Sequence, residues 1–267
     1  MPPGGPEGGR VGGPPDYVGV GALNSEMSWW HALLLQHPGV EQRAWHEREL
    51  RYFDRFCTRE MTDEDVASYH ARFPRGADTI VGEWSPRYLH DAWSPVLLRR
   101  AAPDAKLLVM LSDPVERFRS RAPLFAADAG GRGRYASQLR ALWAQFEPES
   151  VLVLQLERCR LDPFGEYARM LRFLGLRDDV RPDLRGATLF GLYLRGRRVA
   201  GRVGDAFLSG RLPGRRDLWP DAVESLVVDL EDEMGEVAAM VPELDLALWP
   251  EFAHLAAAPG AERVPAG

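Results

Sequence analysis

Residues 106–120 constrain the fold more than any other part of the chain, because an apolar strand there runs directly into a helix. Lys106 is followed by five apolar residues, 107–111, and such a run predicts a buried β-strand. Asp113-Pro114 then predicts a helix start, with a capping carboxylate and proline at the first helical position. A strand that leads to a helix N-terminus is typical of anion sites, since backbone N–H groups and the helix dipole converge there.

Short apolar strands alternate with helical patterns along the rest of the chain. Further strands are predicted at 17–22, 79–82 and 151–155, and helices at about 28–36 and from Pro163 to Leu174. This alternation is typical of a parallel sheet covered by helices on both faces. The sequence therefore predicts an α/β fold, a three-layer sandwich with a central parallel sheet, in which ligands bind beyond the carboxyl ends of the strands.

Length and composition favour one domain. The chain has 267 residues, of which 45% are hydrophobic, enough for one large core. Residues 1–16 and 255–267 are rich in Gly, Pro and Ala and predict disordered tails, which leaves a single domain over 17–254. No apolar run approaches the roughly 18 residues of a membrane span and no signal peptide precedes the domain, so we expect a cytoplasmic protein without a membrane partner.

Charge and cysteine content exclude several function classes. The net charge of −6 argues against general nucleic-acid binding, which depends on clustered cations. Cys57 and Cys159 have no paired spacing, and the six histidines show no ligand spacing. We therefore expect neither a disulfide framework nor a metal site, and any anion site has to be local.

Several motifs together resemble those of sulfotransferases that use 3′-phosphoadenosine 5′-phosphosulfate (PAPS). In that family the strand-to-helix segment is Leu-Arg-Asp-Pro followed by a helical serine, and here it is Leu-Ser-Asp-Pro with Ser120. A Glu-Lys-Thr-Pro-x-Tyr element looks like residues 83–88, and the frame of the first strand, loop and helix looks like 17–38. Residues 151–176 also match. The chain thus resembles bacterial and glycosaminoglycan-type members of this family.

The resemblance implies a P-loop-like sulfotransferase fold and a PAPS site. The first loop and helix start would hold the phosphosulfate, and the family's arginine and serine positions would hold the 3′-phosphate. A basic loop would close over the nucleotide, although a solvated arginine loop is the alternative for that segment. The implied nucleotide-binding residues are Asn24, Ser25, Met27, Ser28, Ser112, Ser120, Arg195, Arg197 and Arg198.

The implied nucleotide site is degenerate at the positions that matter for charge. Asn24 stands where the family has a cation, Glu26 where it has glycine, and Ser112 where it has arginine. A carboxylate about 4 Å from the donor's anion costs on the order of 4 kcal/mol at an effective dielectric of 20, or about a thousandfold in affinity. Losing arginine also removes a bidentate phosphate partner. We therefore predict weak PAPS binding.

Glu83 is the predicted catalytic base, because the resemblance gives the glutamate of its element that role and the sequence puts it directly after a predicted strand. An ion pair with Arg87 or Arg117 is the structural alternative. Trp29, Trp30, Trp84 and Arg48 are candidates for an acceptor pocket; for the tryptophans, core packing is the alternative, and for Arg48, a surface charge.

Three functions stay open on the sequence alone. The first is sulfuryl transfer from PAPS to a hydroxyl or amine of a small-molecule acceptor, such as a natural product of secondary metabolism. The second is PAPS-independent acid–base chemistry, an elimination, cyclisation or isomerisation, with Glu26 and Glu83 as the catalytic pair. The third is a non-catalytic binding protein. The sequence leaves a monomer and a homodimer equally open.

Overall fold

The computed structural model describes residues 12–22, 27–41, 49–125, 129–185 and 220–256. Its elements, in chain order, are β1 (Tyr17–Gly21), α1 (Met27–Leu34), α2 (Asp63–His70), β2 (Gly82–Trp84), α3 (Ser94–Ala101), β3 (Lys106–Leu111), α4 (Pro114–Phe125), α5 (Ala129–Gly133), α6 (Tyr135–Trp143), β4 (Val151–Gln155), α7 (Leu156–Leu161), α8 (Pro163–Leu174) and α9 (Pro220–Met240). Short 3₁₀ helices lie at Tyr52–Cys57, Pro148–Ser150, Leu246–Leu248 and Pro250–Leu255.

The chain divides into two units. The first comprises Met1–Leu111 and Gln138–Pro213 and contains all four strands, and the second comprises Ser112–Ser137 and Gly214–Gly267 and is helical where it is described. Helix α6 begins in the second unit and continues in the first. Folding of residues 17–254 as one domain stays a prediction.

The sheet of the first unit is entirely parallel, with the strand order β2-β1-β3-β4. Helices flank it, so the predicted α/β fold with a central parallel sheet is confirmed. Strands β3 and β4 have the predicted bounds because each is an uninterrupted apolar run, and both are buried on both faces. Helix α8 begins after the predicted cap, since Asp162 accepts a hydrogen bond from the Gly165 N–H, and it ends before Gly175 as predicted.

One face of the sheet packs against α1, α7 and α8. Alternate strand residues point to this face, as the two-residue period of a strand requires. The resulting core is large and almost fully buried, and it includes three tryptophans; its members from the strands are Tyr17, Trp84, Leu108, Met110, Leu152 and Leu154, and those from the helices include Trp29, Trp30, Leu33, Cys159, Tyr167, Met170 and Leu171.

Strand β2 lies further along the chain than the sequence predicted. Residues 82–84 pair with β1, whereas Ile80 forms a separate parallel bridge with Val40. The Asp16 carboxylate accepts a hydrogen bond from the Val81 N–H at 2.8 Å. This bond holds the residue before β2 next to the residue before β1. Glu83 therefore lies in the middle of the strand, opposite Val18, and the prediction that it follows the strand's carboxyl end is wrong.

Residues 12–16, which the sequence assigned to a tail, make defined contacts in the first unit. Gly12 bridges Pro74 in antiparallel fashion. Arg75 donates to the Asp16 carboxylate at 2.7 Å, and the Asp16 N–H donates to the Val81 carbonyl. These contacts anchor the approach to β1.

The second unit is held together by buried and paired charges. The Glu233 carboxylate of α9 is 8% exposed and accepts hydrogen bonds from the backbone N–H groups of Ala136 and Ser137 and from the Ser137 hydroxyl. It thereby caps the start of α6. Arg119 of α4 pairs with both Glu116 and Glu251, and the Tyr135 ring packs against Trp249.

Replacing Gly82 with alanine is expected to destabilise the first unit by about 1–3 kcal/mol, because added atoms in a packed site force the backbone apart. A Cβ at Gly82 would lie 2.2 Å from the Tyr17 carbonyl oxygen, on the strand with which Gly82 pairs. Urea unfolding followed by tryptophan fluorescence measures the change.

Gly235→Ala is the matched control. Gly235 lies on α9, and a Cβ there would meet nothing within 4 Å. Alanine should therefore stabilise by about 0.5–1 kcal/mol through its lower backbone entropy in the unfolded chain. If Gly82→Ala unfolds at the same urea concentration as the wild type, the pairing of β2 with β1 is not the one described.

Candidate functional site

The strand order identifies where a ligand site is expected. From β1 the chain goes first to β2 on one side and then to β3 on the other, so the direction of winding reverses between β1 and β3. Ligands of parallel sheets bind at such a switch point, beyond the carboxyl ends of the two strands. The Ala22 N–H, one residue after the end of β1, donates to the Met110 carbonyl at 2.8 Å, one residue before the end of β3.

The chain leaves β3 through Ser112 and Asp113, both in the second unit. The Asp113 carboxylate caps α4: its Oδ1 accepts the N–H groups of Val115 at 2.8 Å and Glu116 at 3.2 Å. Ser112 is 5% exposed, and its carbonyl accepts the Tyr135 hydroxyl at 2.8 Å. The predicted capped helix start is thus present, with its own carboxylate on the first N–H groups.

This arrangement differs from a phosphate site of the expected kind. Ser112 carries no charge and is buried, whereas the expected motif has arginine at that position; the capping aspartate is common to the motif and to this chain. Arg117, one turn into α4, is 8% exposed, and its guanidinium lies 5.2 Å from the centroid of the Tyr135 ring. The residues described at this helix start therefore do not reproduce the arginine contact that the resemblance implies.

Glu83 lies in a buried cluster of hydroxyl groups in the first unit. Its side chain is 1% exposed. The Tyr69 hydroxyl donates to Oε1 at 2.6 Å and the Ser85 hydroxyl donates to Oε2 at 2.6 Å. The Tyr88 hydroxyl lies 3.2 and 3.4 Å from the two oxygens. We call Tyr69, Ser85 and Tyr88 the hydroxyl cluster; it supplies donors to both carboxylate oxygens.

Two backbone N–H groups orient this cluster. The Arg51 N–H donates to the Ser85 oxygen at 3.1 Å, and the Tyr52 N–H donates to the Tyr88 oxygen at 2.8 Å. Arg51 has φ 46° and ψ 36°, a left-handed conformation that is uncommon outside glycine. The oxygens of Ser85 and Tyr88 thus each accept a backbone hydrogen bond, which leaves their own protons available to Glu83.

Tyr88 keeps its proton in this environment. Burial, and next the negative charge of Glu83, raise the pKa of Tyr88 well above its usual value. The hydroxyl thus keeps its proton, and can donate it, across the neutral pH range.

The three predicted pocket tryptophans lie in the core between α1 and the sheet. Trp29, Trp30 and Trp84 are 3%, 0% and 2% exposed. The Trp84 ring stacks on His31 at 5.0 Å and occupies the space over Gly19, where a Cβ would lie 2.2 Å from the ring. Glu83 and Trp84 point to opposite faces of the sheet, because side chains alternate along a strand. A role of these tryptophans in acceptor binding stays a prediction.

For the remaining predicted site residues the structure describes no side chain. For Met27, Ser28 and Ser120 only the helical backbone is described, at the start of α1 and within α4. The others lie outside the described residues: Asn24, Ser25, Glu26, Arg48, Arg195, Arg197 and Arg198.

The sequence missed three features of the Glu83 site. Ser85 and Tyr88 belong to the same six-residue element as Glu83, so their spacing was a usable signal. Tyr69 carries no such signal, since it reaches Glu83 only through the packing of α2. Nor does an arginine at position 51 indicate a left-handed residue, because its conformation depends on the contacts of its N–H.

The described ranges lack two features. No helix there is long and apolar enough to cross a membrane. No group of three or more His, Cys, Asp or Glu side chains within those ranges could hold a metal ion.

Comparison of this geometry with solved structures finds sulfotransferases. The sulfotransferase from Alicyclobacillus acidocaldarius is similar with a TM-score of 0.61 at 20% identity, over 88% of this chain and 98% of the other. The sulfotransferase domain of the Synechococcus PCC 7002 olefin synthase is similar with a TM-score of 0.52 at 15% identity, over 81% of this chain and 94% of the other.

Comparisons at the level of sequence find nothing. No family model matches the chain, and no curated protein matches it. At 20% identity or less, the structural likeness establishes the architecture and leaves the chemistry to be argued from the residues. The chain has a sulfotransferase fold.

Proposed function

We propose that the protein transfers a sulfuryl group from PAPS to a hydroxyl or amine of a small-molecule acceptor, from a site that binds PAPS weakly. The observation that carries the proposal is the sulfotransferase fold around the switch point between β1 and β3. Under the proposal the backbone of residues 24–28 holds the phosphosulfate. Ser120 and the arginines at 195, 197 and 198 bind the 3′-phosphate in place of the arginine that Ser112 replaces.

Glu83 is the proposed base. It accepts the proton of the acceptor's O–H or N–H while that oxygen or nitrogen bonds to sulfur and the bond from sulfur to the phosphate oxygen breaks. Support comes from the hydrogen bonds donated to the carboxylate, which favour the charged form that a base requires. Burial acts in the opposite direction and favours proton uptake. Glu83 pairs with Val18, three residues before β1 ends at Gly21, so it lies about 10 Å below that end, at roughly 3.3 Å per residue.

The second candidate function uses the same fold without PAPS as a sulfuryl donor. One observation favours it: at the start of α4, the uncharged and buried Ser112 stands where the expected motif has an arginine for the phosphate. Glu26 and Glu83 would then act as an acid–base pair on a small molecule, or the protein would bind a ligand without catalysis. Nucleotide binding separates these possibilities.

The product nucleotide 3′-phosphoadenosine 5′-phosphate is expected to bind with a Kd above about 100 µM, because one carboxylate near the donor's anion costs about a thousandfold. Calorimetric titration of the full chain measures it, with adenosine 5′-phosphate as the control that lacks the 3′-phosphate. Low-micromolar binding would contradict the weak site and strengthen the proposed reaction. No binding at about 5 mM, a Kd beyond the millimolar range, together with no nucleotide release from PAPS, would sink the proposed reaction.

Glu83→Gln is expected to lower the rate of nucleotide release from PAPS by about a hundredfold or more in the presence of an accepted phenol, alcohol or amine. The amide keeps the size of the side chain but cannot take up the proton. The measurement is initial rate at saturating PAPS, with thermal unfolding recorded on the same sample.

Glu233→Gln is the matched control. Glu233 is also buried and also accepts three hydrogen bonds, but it caps α6 in the second unit. It should lose stability to a similar degree and keep its turnover. If both variants lose stability and both keep their turnover, Glu83 is a scaffold residue and its assignment as base fails.

A further inference from the structure

We infer that Tyr69 is a positioning residue for Glu83, acting with Ser85 and Tyr88 to hold the buried carboxyl group in its charged form and in one orientation. The inference rests on the proposed function only in calling this arrangement useful for catalysis. The geometry of the cluster carries the rest.

The starting point is the cost of burying a carboxylate. Removal from water disfavours the charged form, and a group that is 1% exposed loses nearly all of its water contact. Hydrogen bonds donated to the oxygens act in the opposite direction, and those to a charged acceptor are shorter and stronger than neutral ones. The bonds from Tyr69 and Ser85, both 2.6 Å, have the length typical of charge-assisted O–H···O⁻ contacts.

The two shortest hydrogen bonds to Glu83 are made to different carboxylate oxygens. Tyr69 donates to Oε1 and Ser85 donates to Oε2. A protonated carboxyl would need one oxygen to become a donor, and it would then face a hydroxyl that is already donating to it. For Ser85 this conflict is fixed by the backbone, because its oxygen accepts the Arg51 N–H. The cluster therefore favours the charged form, which can accept all the hydrogen bonds that the three hydroxyl groups donate.

Tyr69 comes from a different part of the chain than the other two donors. Ser85 and Tyr88 follow Glu83 within five residues, whereas Tyr69 lies on α2. Its ring is fully buried, and its centroid lies 4.8–5.1 Å from the ring centroids of Phe53, Phe73 and Tyr52. A ring held in this way brings its hydroxyl to Oε1 with few alternative positions, which is what a positioning residue requires.

The test reads the charge of Glu83 directly. Protein labelled with ¹³C at glutamate carboxyl groups is titrated by NMR, and the Glu83 signal is assigned by its loss in Glu83→Gln. We expect a charged carboxylate at pH 7 in the wild type. In Tyr69→Phe the pH at which Glu83 takes up its proton should rise by about one unit or more, since a charge-assisted hydrogen bond is lost. Tyr69→Phe/Tyr88→Phe should raise it further.

Tyr167→Phe is the matched control. Tyr167 is a buried tyrosine of the same unit whose hydroxyl donates to the Leu33 carbonyl at 3.2 Å, so the variant loses a hydrogen bond without touching Glu83. It should leave the Glu83 titration unchanged. If Tyr69→Phe does not fold, Ser85→Ala carries the same expectation, because it removes the donor to Oε2.

Three results would overturn the inference. They are a protonated Glu83 at pH 7 in the wild type, an equal titration in the wild type and Tyr69→Phe, and no further rise in the double variant over Tyr69→Phe. Different results would contradict the proposed function. A shifted titration without any turnover of PAPS leaves the positioning role standing, whereas turnover with an unshifted titration leaves the reaction standing and removes Tyr69 from it.

Discussion

A carboxylate that is 1% exposed has lost its hydration, and the loss has to be offset by hydrogen bonds from the protein. Around Glu83 those bonds come from α2 and from the turn after β2. The backbone N–H groups of Arg51 and Tyr52 in turn donate to the hydroxyl groups of that turn. Meeting this one requirement fixes the positions of three chain segments on one face of the sheet. The left-handed conformation of Arg51 is consistent with that demand, since its own N–H is one of the donors.

The sequence predicted the elements whose signals are local. Strands β3 and β4 are uninterrupted apolar runs, and α8 has its capping aspartate, its proline and its terminal glycine in the order that helix ends require. Strand β2 was misplaced because three residues carry too little pattern. Its position depends on Asp16, on the bridge from Ile80 to Val40 and on the close approach of Gly82 to Tyr17. All of these are contacts between distant parts of the chain.

The candidate site was predictable to the same extent. A six-residue element pointed to Glu83. The hydrogen bond that the Tyr69 hydroxyl donates depends instead on the packing of an aromatic cluster, which no spacing in the sequence reveals. At the start of α4 the sequence indicated both the missing arginine and the capping aspartate. The structure adds that Ser112 is buried and that the Asp113 carboxylate takes up first-turn N–H groups. A fold shared with sulfotransferases therefore coexists with a helix start of different charge, which is why chemistry has to be argued from the residues.

The adjacency of Glu83 and Trp84 has a consequence for how β2 finds its place. A strand of three residues makes too few pairs to choose between alignments by backbone hydrogen bonding alone, and it lies at the end of the strand order among the described residues. A slip of one residue would exchange the two side chains between faces. The charge would enter the tryptophan-rich core between α1 and the sheet, and the indole would face the Tyr69 hydroxyl in place of the carboxylate. The contrast between these neighbours thus makes the misaligned strand far more costly than its short length would suggest.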